Sequence, residues 1–521
     1  MRRRDAWRAG ALAAALLGAL PARAYDEWVH QLIGQQALPA DLPRDLAPPS
    51  RGDLEALRRA TWAAGAGHPD PAVRRRFLAR WPTEAAFDAW AWKELLGLTP
   101  EARVSGIDAL PPAQPDARAL AAEEAREPDE DRRNQERFAH DAARDVRRDA
   151  WGRPLPADPT QLDMGALTGL SSQAWAHYGL PRIAFSEDPE VLKRDPRRFA
   201  WPRTARALAP EEAQLHTDLA LAAAALGTPG ARALSFAYLG QAEHYLADVA
   251  NQIHTIQVIY PFFVSAKLES LKEEALSLGG LLRARPGFLA LGLGIVKNHH
   301  LFLESLWAKR MAEAIAGRPA SPEVEDGLRA LGRGDAPLEA ALDARGLSPD
   351  GPFALEIGRA VVDASSFEGG PVYEAARAIA SPRLSRAGVE FAGDPDAWLR
   401  RPPDPAALAR FHALEGRGFA RAGTALRRHA ALFRAAVAGA ERSPGGRERL
   451  RDLALGRLVS GGLEALEARE ARLAAWKPRP PEAQGIAWAW PCGAAGLAAA
   501  LALVAVVVAR RRRARRRREL A

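Results

Sequence analysis

One cysteine, Cys492, stands in 521 residues, so a disulfide framework within a single chain is excluded. β-Branched residues are sparse, and no run alternates apolar and polar with a period of two, which argues against sheet. No segment repeats itself, so a repeat architecture is excluded. Neither a Gly-rich phosphate loop nor a Ser-His-Asp arrangement is present, which leaves no candidate for those two chemistries. A basic groove interleaved with aromatics, the usual platform for single-stranded nucleic acid, is also missing. The formal net charge of +8 does not replace it. Arg510 to Arg513 and Arg515 to Arg518 equal that whole excess, and the remainder of the chain is close to neutral.

Alanine, leucine, arginine and glutamate dominate instead, and 48% of residues are hydrophobic. These side chains favour helix, and the apolar share suffices for a sizeable core, so the predicted class is all-α. Both ends carry topogenic signals. Residues 1–24 read as a signal peptide, with Arg2 to Arg4 as a basic start, "AGALAAALLGAL" as a short apolar run and "ARA" as a cleavage site. Residues 486–509 run without a charge and are long enough to cross a bilayer as a transmembrane helix. Trp488 and Trp490 suit the outer interface, and residues 510–521 suit a basic cytoplasmic tail. The expected topology is an extracytoplasmic body, periplasmic or cell-surface, held by one C-terminal membrane anchor. Cys492 lies at the mouth of the span, in an arrangement that resembles bacterial C-terminal sorting tails.

Between the ends, residues 25–47 predict a first helix, and 50–126 predict further helices broken at "GHPDP" and "ALPPAQP". Residues 127–210 carry little regular pattern. Residues 211–275 predict two long helices, and another is expected from about 297 to 317. The apolar, glycine-interrupted segment 279–296 is expected either as a buried loop or as a surface that dips into lipid. Residues 318–476 read as an accessory region of helices without polar clusters, with "RPPDP" as a linker inside it. Residues 477–485 read as a stalk before the membrane.

The histidines are placed unevenly. In "HYLADVANQIH", residues 244–254, His244 and Asp248 are four apart and share a helical face. His254 lies ten residues beyond His244, and at ~100° per residue it points about 80° away, toward a neighbouring ion. "NHHLFLE" repeats the spacing with His300 and Glu304. Neutral imidazole and carboxylate are what zinc takes, so a His-x-x-x-carboxylate pair on each of two helices is a zinc pattern. His216 reads as structural, while His68, His412 and His429 sit in Arg- or Pro-rich contexts and read as surface residues.

"FAYLGQAEHYLADVANQIH", residues 236–254, resembles the signature of the zinc-dependent bacterial phospholipases C and the related single-strand-specific fungal nucleases. These are all-helical, extracytoplasmic phosphodiesterases with three zinc ions. Their pattern of His-Tyr-x-x-Asp, five residues and His is matched by His244, Tyr245, Asp248 and His254. Their next element, His-x-x-x-Glu/Asp, is matched by His300 and Glu304, and the glutamate leans toward the phospholipases. The resemblance also implies metal binding by the mature N-terminal residue and a nearby histidine, here Tyr25 and His30. An aspartate, and a histidine followed by an aromatic, complete the family set. "EPDEDRR" offers Asp129 or Asp131, with Asp129 preferred; "WAHYGLP" offers His177, with His140 as its rival. Two departures stand out. Gln252 and Ile253 replace the proline usual before the last histidine, and the gap from His254 to His300 is long. The resemblance covers about residues 25–310.

It implies a catalytic domain over residues 25–317 and three zinc sites. Asp129, His177, His244 and Asp248 would hold one ion. Tyr25, His30 and the shared Asp248 would hold a second, and His254, His300 and Glu304 a third. Asp129 and Asp248 are the implied catalytic carboxylates. The implied activity is phosphodiester hydrolysis by a zinc-activated water. The anchor, Glu304 and segment 279–296 favour a phospholipid substrate, and no specific nucleic-acid binding is expected. A nuclease or nucleotidase on the same core, and a helical protein with a degenerate site, are the competing classes. The mature chain is expected to begin at Tyr25, which N-terminal sequencing of protein from a secreting host checks. A start several residues away would remove that ligand position.

Overall fold

Several helices begin where a short polar side chain can take over an orphaned backbone donor. The computed structural model describes residues 27–90, 114–126, 128, 179, 182–184, 209–258, 298–299, 302–307 and 309–310. It further describes 322–475 apart from 386–388, 390, 392–393 and 403. The N-terminal part holds α1 (Glu27–Ala37), α2 (Arg51–Ala66), α3 (Pro71–Arg80), α4 (Glu84–Trp90) and α5 (Ala117–Glu124). The middle holds α6 (Ala209–Leu226) and α7 (Pro229–Ala250). The remainder holds α8 (Pro322–Arg333), α9 (Ala336–Ala344), α10 (Phe353–Ser365), α11 (Gly369–Ile379), α12 (Pro405–Arg442) and α13 (Gly446–Ala475). Ser50, Asp70, Asp116, Thr228, Asp335 and Asp404 each accept a backbone N–H of the helix they precede. The last two residues of "RPPDP" are the entry of α12, with Asp404 as its cap and Pro405 as its first residue.

The all-α class holds, with one small addition. β1 (Arg182–Ala184) and β2 (Ile256–Val258) pair in parallel, Arg182 opposite Ile256. The second helix expected over 211–275 stops early, at Ala250. Asn251 is extended, its side chain accepts the Ile253 N–H, and a 3-10 turn follows over Gln252–His254. A short amide side chain competes with the helix for backbone groups, and β-branched residues then favour extended chain.

α6 and α7 are buried on nearly all sides, as helices that are apolar all round must be. They lie side by side, against α5, α10, α12 and α13. One apolar cluster runs from Val29 on α1 through both helices to Leu458 on α13. Residues 322–475 therefore share a core with the segment that carries the histidine motif. A second, smaller cluster joins Val73, Phe77, Trp81 and Phe87 to Val459 and Leu463 of α13. Among the described residues, no helix is long and apolar enough to cross a membrane. The expected signal peptide, segment 279–296, the 486–509 span and the basic tail lie outside the described residues.

Asp53 ties two helix starts together. Its Oδ2 accepts from the Ser50 N–H at 2.8 Å and the Ser50 hydroxyl at 2.6 Å, and its Oδ1 accepts from the Thr228 hydroxyl at 2.5 Å. Thr228 in turn caps α7. Burial pushes the Asp53 carboxyl up, but the hydrogen bonds from Ser50 and Thr228 outweigh it and hold the group below the usual carboxylate range. A carboxyl lowered by folding stabilises above its ordinary pKa and loses that contribution as pH falls through the folded value. Asp53→Ala is expected to lower the unfolding free energy by about 1–3 kcal/mol at pH 7 and by less at pH 3. Urea denaturation at both pH values measures this, and equal losses would show that the charge contributes nothing.

Candidate metal centre

Asp248 lies between two imidazoles. Its Oδ1 is 3.2 Å from His30 Nε2, its Oδ2 is 3.2 Å from His244 Nε2, and none of the three side chains reaches solvent. The His30 and His244 ring centres are 3.9 Å apart. His244 and Asp248 share one face of α7, as their four-residue spacing requires. His30 arrives from α1. Among the described residues, these three form the group of histidine and acidic side chains that converges closely enough to hold a metal ion. Zinc bonds of ~2.0–2.1 Å in tetrahedral geometry put neighbouring ligand atoms about 3.3 Å apart, so both N···O separations fit one edge of such a site.

The local backbone orients the candidate ligands. His244 Nδ1 lies 2.8 Å from the Ala125 carbonyl. A carbonyl can only accept, so a neutral His244 carries its proton on Nδ1 and turns the Nε2 lone pair toward Asp248. Lone pair and carboxylate repel at this distance unless a proton or a metal ion lies between them. A metal-binding histidine is commonly anchored in this way through its other nitrogen. Ala125 reaches His244 because α5 comes unusually close to α7. A Cβ on Gly240 would sit 2.1 Å from the Ala121 carbonyl oxygen, so that crossing needs glycine. One residue on, Gln241 Nε2 donates to Glu124 Oε2 at 2.8 Å inside the core.

His254 and Glu304 form a further buried pair, with Nε2 3.2 Å from Oε1. The helical angle expected for His254 does not apply, because α7 has ended and the 3-10 turn redirects the chain. His254 still serves a different partner from His244. Its carbonyl accepts the Gly179 N–H at 2.9 Å, so the chain just after "WAHY" runs beside this turn. Tyr25, Asp129, His177 and His300, with the rivals Asp131 and His140, lie outside the described residues.

The surface reading of three histidines is corrected. His429 is fully buried. Its Nε2 donates to Thr217 Oγ1 at 2.8 Å, because that hydroxyl gives its own proton to the Ala213 carbonyl at 2.7 Å. Its Nδ1 faces Glu243 at 3.6 Å. Burial pushes His429 down to about 3 and the Glu243 carboxyl well up, so both stay neutral in the core. His68 is buried and accepts the Asp70 N–H, and His412 is half-buried edge-on to Trp307. His216 is structural as expected, bonded through Nδ1 to the Glu212 carbonyl at 2.9 Å. Polar clusters also occur in the region expected to lack them. Arg421 is buried between Glu368 and Asp335. Glu415 is buried as well, its carboxyl pushed up to about 8 by burial and by the charges of Glu368 and Glu304. An Arg-rich helix can bury one face and send its other arginines to solvent, and composition along the helix does not separate the two.

Gly240→Ala is expected to push α5 away, withdraw the Ala125 carbonyl from His244 and weaken metal affinity by about 10–100-fold. Gly416→Ala on α12, where a Cβ meets nothing within 4 Å, is the matched control and should leave affinity unchanged. Competition against a chromogenic chelator reads both, and equal affinities would show that the carbonyl contact is dispensable. Comparison of the chain with protein-family models, with characterised proteins and with solved structures gives no match.

Proposed function

We propose that this protein is a zinc-dependent phosphodiester hydrolase, specifically a membrane-anchored phospholipase C acting on phospholipid headgroups outside the cytoplasm. The observation that carries the reading is the convergence of His30 on α1 with His244 and Asp248 on α7. Helical spacing accounts for two of those residues meeting, but not for the third. His30 is the residue that the resemblance to zinc phosphodiesterases adds to the pair. Support for a lipid rather than a nucleic-acid substrate comes from Glu304, the apolar segment 279–296 and the expected C-terminal anchor.

In this reading Asp248 would be shared between two zinc ions, with His244 helping to hold one and His30 the other. Tyr25, Asp129 and His177 would complete those two sites. His254 and Glu304, with His300, would hold a third ion. Zinc, when bound, neutralises phosphoryl oxygens and lowers the pKa of a bound water to roughly 7. The chain's own contribution is orientation and exclusion of water. Ala125 selects the His244 tautomer, and full burial of His30, His244 and Asp248 makes each charge contact stronger than it would be in water. Asp129 and Asp248 are the proposed catalytic carboxylates.

The test is hydrolysis of a chromogenic phosphocholine diester beside single-stranded DNA by the full-length protein in detergent, with and without chelator. Turnover of the lipid analogue should disappear on chelation and return with zinc, and Asp248→Asn should abolish it. Turnover of DNA alone would move the assignment to a nuclease. No turnover of either by the zinc-loaded protein would remove the enzymatic reading.

A further inference from the structure

We infer that the helices of residues 322–475 clamp the turn that carries His254, with Gln252, Glu368 and Arg421 acting as positioning residues for the His254–Glu304 pair. The inference rests on the metal-centre reading above and adds to it a part of the chain that lies beyond the zinc signature.

Gln252 is fully buried and stands two residues before His254 in the same three-residue turn. Both protons of its amide nitrogen are engaged. Nε2 donates to the Leu414 carbonyl of α12 at 2.7 Å and to Glu368 Oε2 at 3.1 Å. Glu368 precedes α11 and is held in turn by Arg421 of α12, whose Nη1 lies 2.6 Å from the same oxygen. The Arg421 side chain is 7% exposed, and its Nε is 3.4 Å from Asp335 Oδ2, at the cap of α9. A continuous polar chain thus runs from Asp335 through Arg421 and Glu368 to Gln252. Burial pushes the Glu368 carboxyl up, but Arg421, Gln252 and Arg417 outweigh it and keep the group below the usual range. The helix itself also seats on the turn. A Cβ on Gly418 would lie 3.1 Å from the Ala250 carbonyl oxygen and 3.2 Å from Gln252 Oε1.

A 3-10 turn of this length has little stability of its own, because its hydrogen bonds are poorly aligned. The imidazole it carries must stay 3.2 Å from Glu304, and metal ligands tolerate placement errors of only about 0.5 Å. An arginine–carboxylate pair placed inside a core is seldom the most stable filling of that space. Here the pair ends on one amide, which fixes the backbone next to His254. Geometric control of the half-site accounts for that arrangement where packing alone does not.

The experiment titrates cobalt(II), as a spectroscopic probe in place of zinc, into the metal-stripped full-length protein in detergent. His254→Ala and Asp248→Asn identify which uptake phase belongs to which group. Gln252→Met keeps side-chain length and removes the donor. It is expected to weaken the His254-dependent phase by about 10–100-fold and alter its visible absorption, with the Asp248-dependent phase unchanged. Glu368→Gln should shift the same phase in the same direction, and Arg421→Lys should restore most of what Arg421→Met removes. If the buried variants fail to fold, Arg417→Met, which removes only an exposed partner of Glu368, should still shift that phase to a smaller degree. Unchanged affinity and spectra across the folded variants would overturn the clamp and leave the metal reading standing. A native protein whose uptake is insensitive to His254→Ala would overturn the metal reading at this pair, and the clamp with it.

Discussion

A carboxylate without access to water, Asp248, has to be compensated where it sits, and much of the surrounding architecture follows from that requirement. An isolated buried charge is among the most destabilising things a core can hold. Asp248 is flanked by two imidazoles at 3.2 Å, one from its own helix and one from α1, and a proton or a metal ion between nitrogen and oxygen would supply the compensation. α1 must therefore pack against α7 at that level. α5 must also lie close enough to put the Ala125 carbonyl on His244 Nδ1, and the bare backbone at Gly240 permits it. Three helices are thus drawn together around one side chain, and the geometry that results could hold a metal ion.

Burial on this scale has a chemical consequence. Side chains with no solvent contact are fixed in orientation and act in a medium where charge interactions are only weakly screened. The same medium keeps polar groups that bind nothing in their neutral forms. His429 and Glu243 are such groups, one pushed down and the other up by burial. His429 bonds Thr217 through Nε2 and faces Glu243 at 3.6 Å through Nδ1, so the pair carries no net charge into the core.

The later helices change how the whole chain is understood. Residues 322–475 contribute to the same apolar cluster as α1, α6 and α7, and α12 touches the turn of His254 through the Leu414 carbonyl. A helix pair of this length could have been a spacer toward a membrane. Its buried face instead carries Arg421, Glu415 and His429 into the interior, where each meets a residue far away in sequence. The helices are part of the scaffold on which the site is held.

The all-helical class and the shared face of His244 and Asp248 were legible in the sequence. Each depends on interactions within a turn or two of helix, where spacing and side-chain type are sufficient. α7 ends earlier than its long apolar pattern predicts, because Asn251 and the β-branched residues after it favour a turn and extended chain. The meeting of His30 with Asp248 was anticipated only through resemblance to known phosphodiesterases, since no local rule joins residues so far apart. Tertiary structure alone decided the Ala125 carbonyl on His244, the Gln252–Glu368–Arg421 chain, and the burial of His429 in an arginine-rich helix. Those contacts exist only once separate helices are packed, and the identity of a residue does not say which of its neighbours will be brought across to meet it.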